Sequence, residues 1–310
     1  MSMEFPTGSG AISLQEVIHK NPSLFSHPIY WTEAHLDTLH CRFVDCPQVH
    51  RAGTSSNPPT TPSPLEEQTL NDLNALFSGK DLAVSCDSAS DLLTSLFPFE
   101  PTETLKLHFG TRSYDLDGCQ GFLSSTCANS VVAKVPLAFF NLQYVKHRRA
   151  NRFEAHRASS NEPDRTLNKA HHEMPGPEDA GVEPYILAVM IALAQRAEVK
   201  ERDVSVRVLT TFTQRNGDNW QDKFSIYKAT VPGALLAMFC SPGKPYDLGD
   251  AGFIAEIQKV AAWPVLGLAE CLGEPLGVVP ATPAAPPASL KRKHGGNHTD
   301  AGLIFKTLQV

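Results

Sequence analysis

Residues Tyr185-Ile-Leu-Ala-Val-Met-Ile-Ala-Leu-Ala194 form a run of ten apolar positions without a break. Pro184 stands directly before the run, where the first turn of a helix tolerates proline because its missing N–H would have no partner there. A helix that is apolar on every side must be covered from several directions. The run is too short to cross a bilayer, which takes about 20 residues. It therefore predicts a buried helix at the centre of the fold.

Two strands and a second helix follow this run at short intervals. Val204–Val208 and Phe224–Tyr227 each alternate apolar with polar residues, which is typical of half-buried strands. Asn216-Gly217 between them favours a tight turn. Pro232 then precedes the apolar stretch Gly233–Cys240, and together they predict a short helix. We expect a helix–strand–strand–helix core module within an α+β domain.

Three stretches of this module, Pro184–Gln195, Val204–Thr210 and Phe224–Thr230, together resemble a segment that recurs in uncharacterised proteins of filamentous fungi. The resemblance covers about a fifth of the chain and consists mainly of hydrophobic pattern. Proline-rich segments elsewhere in the chain fit such a source. That group has no assigned activity, so the resemblance implies no functional residue.

Composition divides the chain into four parts. With 310 residues, of which 42% are hydrophobic, it can bury a sizeable core. Residues 1–50 are expected to form a small helical region, and residues 51–64 a linker rich in Pro, Ser and Thr. Residues 65–275 are expected to hold the single main α+β domain. Residues 276–310 are expected to be a flexible Pro/Ala-rich tail with a basic run.

Several further helices are predicted. Thr32 can cap a short helix. Ser63–Glu66 is a capping box, in which the first and last side chains bond each other's backbone N–H groups, and Ser88–Asp91 repeats the pattern. Ile254–Ala262 is expected to form one more helix.

Other apolar segments favour strands. Leu82–Val84 predicts a short buried strand, and Leu105–Phe109 predicts a strand that pairs with Tyr114–Leu116. Val131–Tyr144 is compatible with either a strand or a helix. Leu303–Val310 is apolar enough to return to the body as a strand or to fold onto a partner.

The net charge of −6 hides an uneven distribution. Residues 1–145 hold 7 Lys/Arg and 15 Asp/Glu, whereas residues 146–157 hold five Lys/Arg and one Glu. The whole chain is therefore not a general nucleic-acid binder, and we expect a protein partner. Nucleic acid could contact the basic segment. Alternatively, the segment could be a solvated helix end, or it could pair with the acidic N-terminal part of the same chain. Its candidate contacts are Lys146, Arg148, Arg149 and Arg152.

Seven cysteines, an odd number, show no disulfide framework. Reduced thiols are typical of cytoplasmic and nuclear proteins, and we expect one of these two locations. The N-terminus has no basic region followed by an apolar run, so we expect no secretory signal. We also expect no membrane span.

The densest group of possible metal ligands consists of His35, His40, Cys41, Cys46 and His50. Zinc prefers thiolate and imidazole ligands in tetrahedral sets of four. The spacing lacks the Cys-x-x-Cys knuckle of common zinc modules, so free thiols and surface histidines are the alternative. We predict no bound cofactor, with Zn here or Mg at the carboxylates below as the alternatives.

Asp115-Leu116-Asp117-Gly118 resembles the nucleophile loop of haloacid-dehalogenase-like phosphatases. The resemblance implies that Asp115 attacks phosphorus and Asp117 handles the proton while Mg²⁺ neutralises charge. This chain departs from the family because Cys119 stands where the family has threonine and Thr111–Tyr114 is not an apolar strand. A turn between two strands is the alternative explanation.

A second hydrolytic possibility is a metal-dependent nuclease, which needs carboxylates and a lysine around one metal. Asp117, Gln143, Lys146 and Glu154 could be a degenerate version of that set. Our leading prediction is nevertheless a non-catalytic intracellular interaction or regulatory protein. A metal-dependent hydrolase, nuclease-like before phosphatase-like, is the alternative.

Lys291-Arg292-Lys293 is a compact basic run between Pro/Ala-rich sequence and two glycines. Such flanks have little capacity to pack, so the run should be accessible to an import receptor. A solubilising charge cluster is the alternative.

Overall fold

The computed structural model describes residues 12–20, 26–46, 64–78, 82–124, 136–159, 183–197, 202–216, 219–246 and 253–281. These residues form eight α-helices packed on a seven-stranded mixed sheet, which confirms the α+β class. Within them, no helix is long and apolar enough to cross a membrane. Residues 51–63, 160–182 and 282–310, which include most of the predicted linker and tail, lie outside the described residues.

The helices are α1 (Leu14–Lys20), α2 (Glu33–Thr38), α3 (Pro64–Ser78), α4 (Leu82–Leu96), α5 (Leu142–Ser159), α6 (Tyr185–Arg196), α7 (Gly233–Cys240) and α8 (Leu268–Leu276). The strands are β1 (Ile12–Ser13), β2 (Arg42–Asp45), β3 (Phe99–Pro101), β4 (Lys106–Phe109), β5 (Arg112–Asp115), β6 (Cys119–Ser124), β7 (Pro136–Asn141), β8 (Val204–Asn216), β9 (Asn219–Val231), β10 (Pro245–Tyr246) and β11 (Ile254–Ala261).

The main sheet has the strand order β2-β11-β9-β8-β7-β6-β3. Its centre is the long hairpin β8–β9, whose two 13-residue strands pair antiparallel from Val204↔Val231 to Asn216↔Asn219. β7 runs parallel to β8, and β2 runs parallel to β11. The predicted pair β4–β5 is also present, with Leu107 opposite Tyr114, but it forms a separate small sheet.

The first face of the main sheet is covered by α6, as the apolar run predicts. All ten residues from Tyr185 to Ala194 are buried. Val204, Val206 and Val208 belong to the same hydrophobic cluster. Helices α1, α2 and α7 add to this layer, so α6 lies under other elements on all sides.

The second face of the sheet is covered by α3, α4 and α8. Their leucines pack with the alternate residues of the central strands, among them Leu209, Phe224 and Ile226. Since both faces of the central strands are covered, the fold has three layers. The helix–strand–strand–helix module, α6 to α7, lies at its centre.

The predicted strand at Leu82–Val84 is wrong, because these residues begin the 15-residue helix α4. The Ser88–Asp91 pattern consequently lies inside that helix rather than at its start. The inner side of α4 carries Ser85 and Ser88, which are 1% and 8% exposed. Because serine does not count as apolar, the helical period of this side is hidden in the sequence.

The predicted helix at Ile254–Ala262 is also wrong, since Ile254–Ala261 is strand β11. It pairs with β9 on one side and with β2 on the other. Apolar residues three positions apart imitate a helical period in this segment. Pairing with two strands that are distant in sequence decides the structure instead.

The ambiguous segment Val131–Tyr144 contains both kinds of element. Strand β7 passes directly into α5 at Asn141, whose side chain caps the helix. Its Oδ1 accepts hydrogen bonds from the N–H groups of Gln143 and Tyr144 at 2.9 and 3.3 Å. A buried asparagine at this junction satisfies two of the N–H groups that a helix start leaves unpaired.

Candidate functional site

The Asp115-Leu116-Asp117-Gly118 segment connects β5 to β6 and is fastened to α5 and β4. Asp117 accepts a hydrogen bond from Arg148 Nη2 at 3.0 Å, and Asp115 pairs with Lys106 at 3.3 Å. Gly118 has φ +76°, and a Cβ there would stand 2.5 Å from the Tyr144 ring. The glycine is therefore required by a turn that packs against α5.

The remaining nuclease candidates also lie on α5. Gln143 is exposed and Lys146 is half-buried, while the side chain of Glu154 lies outside the described part. The structure brings Asp117 to Arg148. Among the described residues, no three His, Cys, Asp or Glu side chains are grouped as metal ligands.

The histidine–cysteine group lies on α2 and around β2. His35 is buried, its Nδ1 accepts the Thr32 N–H at 2.9 Å, and its ring stacks on Trp31 at 5.2 Å. Burial raises the pKa of Cys41 to about 12, so this thiol is protonated at neutral pH.

The other members of the group are His40, Cys46 and His50. His40 is exposed, with φ 51°. Cys46 donates its N–H to Ile257 at 2.8 Å, and His50 lies outside the described residues.

The basic segment on α5 is partly used inside the fold. Arg149 is 4% exposed, and its guanidinium donates to Glu183 at 2.6 and 3.2 Å and to the Ile29 carbonyl at 2.7 Å. Arg148 is the partner of Asp117. The Arg149 guanidinium is therefore buried away from any phosphate backbone, whereas the Arg148 side chain is still 39% exposed. The side chain of Arg152 and the run Lys291–Lys293 lie outside the described residues.

The role of Glu183 is not predicted from the sequence. It stands two residues before α6, and it bonds the Tyr185 N–H at 3.3 Å besides holding Arg149. The available signal is an acidic residue two positions before a fully apolar helix, because a helix start favours negative charge.

A small cavity lies between α1, α2, β4, β5 and α7. Its volume is about 40 Å³, and Leu107, Phe109 and Phe239 are among its mainly apolar lining. Ligand pockets measure about 300–1,000 Å³. This cavity is too small for such a ligand, so we assign it to imperfect packing.

The sheet offers a more extended surface at β2, its terminal strand. No strand in the described part of the chain pairs with the outer side of β2. The N–H groups of Arg42 and Cys46 donate to Phe253 and Ile257 at 3.1 and 2.8 Å. Because backbone groups alternate in direction along a strand, the N–H and C=O groups of Phe43 and Asp45 point away from β11.

Apolar side chains accompany this outer edge. Val44 is 47% exposed and Ile254 is 56% exposed, and the register places both on one face of the sheet. On the opposite face, Phe43 packs its ring against Tyr227 at 5.9 Å. Asp45, on the same face as Phe43, pairs with Lys259 at 3.1 Å and is still 67% exposed.

The opposite edge of the sheet is less suited to pairing. Strand β3 has three residues and includes Pro101, which has no N–H to donate. Beside it, Ala281 donates its N–H to Leu96 at 2.8 Å. We therefore take the outer side of β2, with Val44 and Ile254, as the candidate site and name it the β2 edge.

No family model matches the chain, and no curated protein matches it either. The resemblance to filamentous-fungal proteins consequently stays a prediction.

Proposed function

We propose that this protein is a non-catalytic interaction or regulatory protein that binds an extended segment of a partner protein along the β2 edge. The observation that carries the proposal is the strand Arg42–Asp45, the terminal strand of the sheet among the described residues, with its outer backbone groups directed away from β11.

An added strand can use these backbone groups directly. Phe43 and Asp45 together present two N–H and two C=O groups, so a partner strand can form up to four hydrogen bonds. Each is worth about 0.5–1.5 kcal/mol net. Burial of Val44 and Ile254 under partner side chains adds about 25 cal/mol per Å² of apolar surface covered. Backbone bonding supplies affinity, while the two apolar residues favour a partner with apolar side chains at alternate positions.

The hydrolase alternative requires carboxylates that can coordinate a metal ion. Asp117 is bonded to Arg148 through Oδ2, and the positive guanidinium offsets the charge that would attract a metal ion. This contact supports a structural role for the Asp-Gly turn and therefore the non-catalytic reading.

The test is selection of peptides from a displayed library of random octapeptides on the full-length protein. We expect enrichment of peptides with β-branched or aromatic residues at alternate positions. In the variant Asp45→Pro, the outward N–H is removed while the bonds to β11 stay. We expect this variant to bind the selected peptides about ten-fold more weakly, because the partner's carbonyl loses its donor.

Asp45→Ala is the matched control, since it removes the carboxylate but keeps the N–H. Its affinity for the selected peptides should stay within about three-fold of that of the wild type. Equal binding of the selected peptides by Asp45→Pro and Asp45→Ala would contradict the proposal.

A further inference from the structure

We infer that residues Leu303–Val310 of this same chain dock beside β2 as an eighth strand and so regulate access to the β2 edge. The inference rests on the proposed function, because the segment would compete with the partner protein for the same β2 edge. The sequence Leu-Ile-Phe-Lys-Thr-Leu-Gln-Val is rich in residue types that strands prefer.

The alternation of this segment fits both faces of the β2 edge. Leu303 and Phe305 would lie on one face, and Ile304 and Lys306 on the other. β2 presents exposed Val44 beside Ile254 on one face, and Phe43 and Asp45 on the other.

Charge selects the direction of the added strand. In a parallel register with Leu303 beside Arg42, Phe305 lies beside Val44 and Lys306 beside Asp45. In the antiparallel arrangement of the same residues, Lys306 instead lies beside Arg42. Opposite charges on neighbouring strands stabilise a sheet and like charges destabilise it. The parallel register is therefore the one we assign, and it also places the largest apolar side chain over the exposed valine.

The chain is long enough for this return. The segment from Ala281 to Leu303 can span about 70 Å when extended. Seven strands at about 4.8 Å spacing make a sheet roughly 30 Å wide. Ala281 lies near the β3 end of the sheet, where it is bonded to Leu96, so the tail can cross to β2 with length to spare.

The test is amide hydrogen exchange of the full-length protein, followed by NMR at single residues. In the wild type, the N–H groups of Phe43 and Asp45 should exchange at least about ten-fold more slowly than in the variant Phe305→Asp, which places a carboxylate over Val44. The N–H of Arg42 donates to β11 in either case and serves as the internal reference.

Gln309→Asp is the matched control, because position 309 lies beyond the four residues that face β2 in the assigned register. It should retain the slow exchange. Lys306→Asp alone should speed exchange, because it places a carboxylate beside Asp45 in the assigned register. Faster exchange in this variant would also separate the parallel from the antiparallel register, in which the new carboxylate would lie beside Arg42.

Equal exchange of Phe43 and Asp45 in the wild type and in Phe305→Asp would overturn the inference, as would slow exchange that is lost on dilution, which would indicate a second copy of the chain. The proposed function is tested separately by octapeptide selection on Phe305→Asp. Peptide binding there that depends on the Asp45 N–H supports the proposed function even if the tail does not dock. Failure to enrich peptides on Phe305→Asp, in which the tail does not cover β2, would contradict the proposed function.

Discussion

The guanidinium of Arg149 joins three parts of the chain at one buried point. It bonds Glu183 ahead of α6 and the Ile29 carbonyl, while its own backbone belongs to α5. Burying both charges is costly, and the pair is tolerated because each of the three guanidinium nitrogens donates to an acceptor. Removal of one partner leaves an uncompensated charge inside the protein.

We therefore predict that Arg149→Met lowers the free energy of unfolding by about 3–5 kcal/mol. Arg148→Met, which breaks the half-exposed pair with Asp117, should cost at most about 1 kcal/mol. Urea unfolding followed by circular dichroism measures both. The double variant Arg149→Met/Glu183→Met should recover most of the loss, and an equal cost for the two single variants would contradict the account.

Thiol reactivity follows burial. Cys240 and Cys271 are exposed, whereas burial raises the pKa of Cys86 to about 11 and raises the pKa of Cys119 further. At pH 8 the raised pKa keeps Cys86 in the unreactive thiol form. We predict that a thiol reagent at pH 8 modifies Cys240 and Cys271 first and the other two on unfolding, as mass spectrometry of digested protein would show. Early modification of Cys119 would place it at the surface.

The same shift predicts a loss of stability in alkali. In the unfolded chain the thiols ionise near pH 9, but in the folded protein Cys86 keeps its proton up to about pH 11. The unfolded state therefore loses protons first, and the free energy of unfolding falls as pH rises from about 9. Melting temperatures measured between pH 7 and 11 should decline above 9, and less steeply in Cys86→Ala. A decline of the same slope in both proteins would assign the effect to other groups.

Among the elements, α6 is the one that its sequence predicts most directly, because ten apolar residues after a proline form a helix that must be buried on all sides. Strand β11 could not be predicted in the same way. Its residues fit two periods, and only pairing with β9 and β2 selects one of them. The sequence of α4 does not predict the whole helix either, since buried serines interrupt its apolar period.

The burial of α6 leads to a sharp prediction. Leu187 and Ile191 are both 0% exposed, so an aspartate at either position would bury a carboxylate without a partner. We predict that Leu187→Asp and Ile191→Asp abolish cooperative thermal unfolding. Leu187→Met, which conserves volume, should cost less than about 1.5 kcal/mol. An unchanged melting temperature for either aspartate variant would show that α6 is not central.

For the whole molecule, the α+β class and the central module followed from the sequence, but the candidate site did not. β2 is only four residues long, and its sequence Arg-Phe-Val-Asp has no distinctive period. It becomes the end of the main sheet by pairing with β11, more than 200 residues further along the chain. The stretch 1–50, expected as a small helical region, thus supplies an edge strand to the sheet of the main domain.

Nuclear import through Lys291-Arg292-Lys293 remains a prediction about the whole molecule. A fluorescent fusion of the full chain should accumulate in nuclei, and the same fusion with these three residues changed to alanine should not. The attached fluorescent protein slows passive entry, so the two distributions should differ clearly. Identical distributions would contradict import through this run.

The most direct test of the β2 edge is a crystal structure of the protein with a selected octapeptide bound. We predict a peptide strand beside β2, with backbone hydrogen bonds to the N–H and C=O groups of Phe43 and Asp45 and with side chains over Val44 and Ile254. A peptide bound elsewhere, with the outer side of β2 unpaired, would contradict the account.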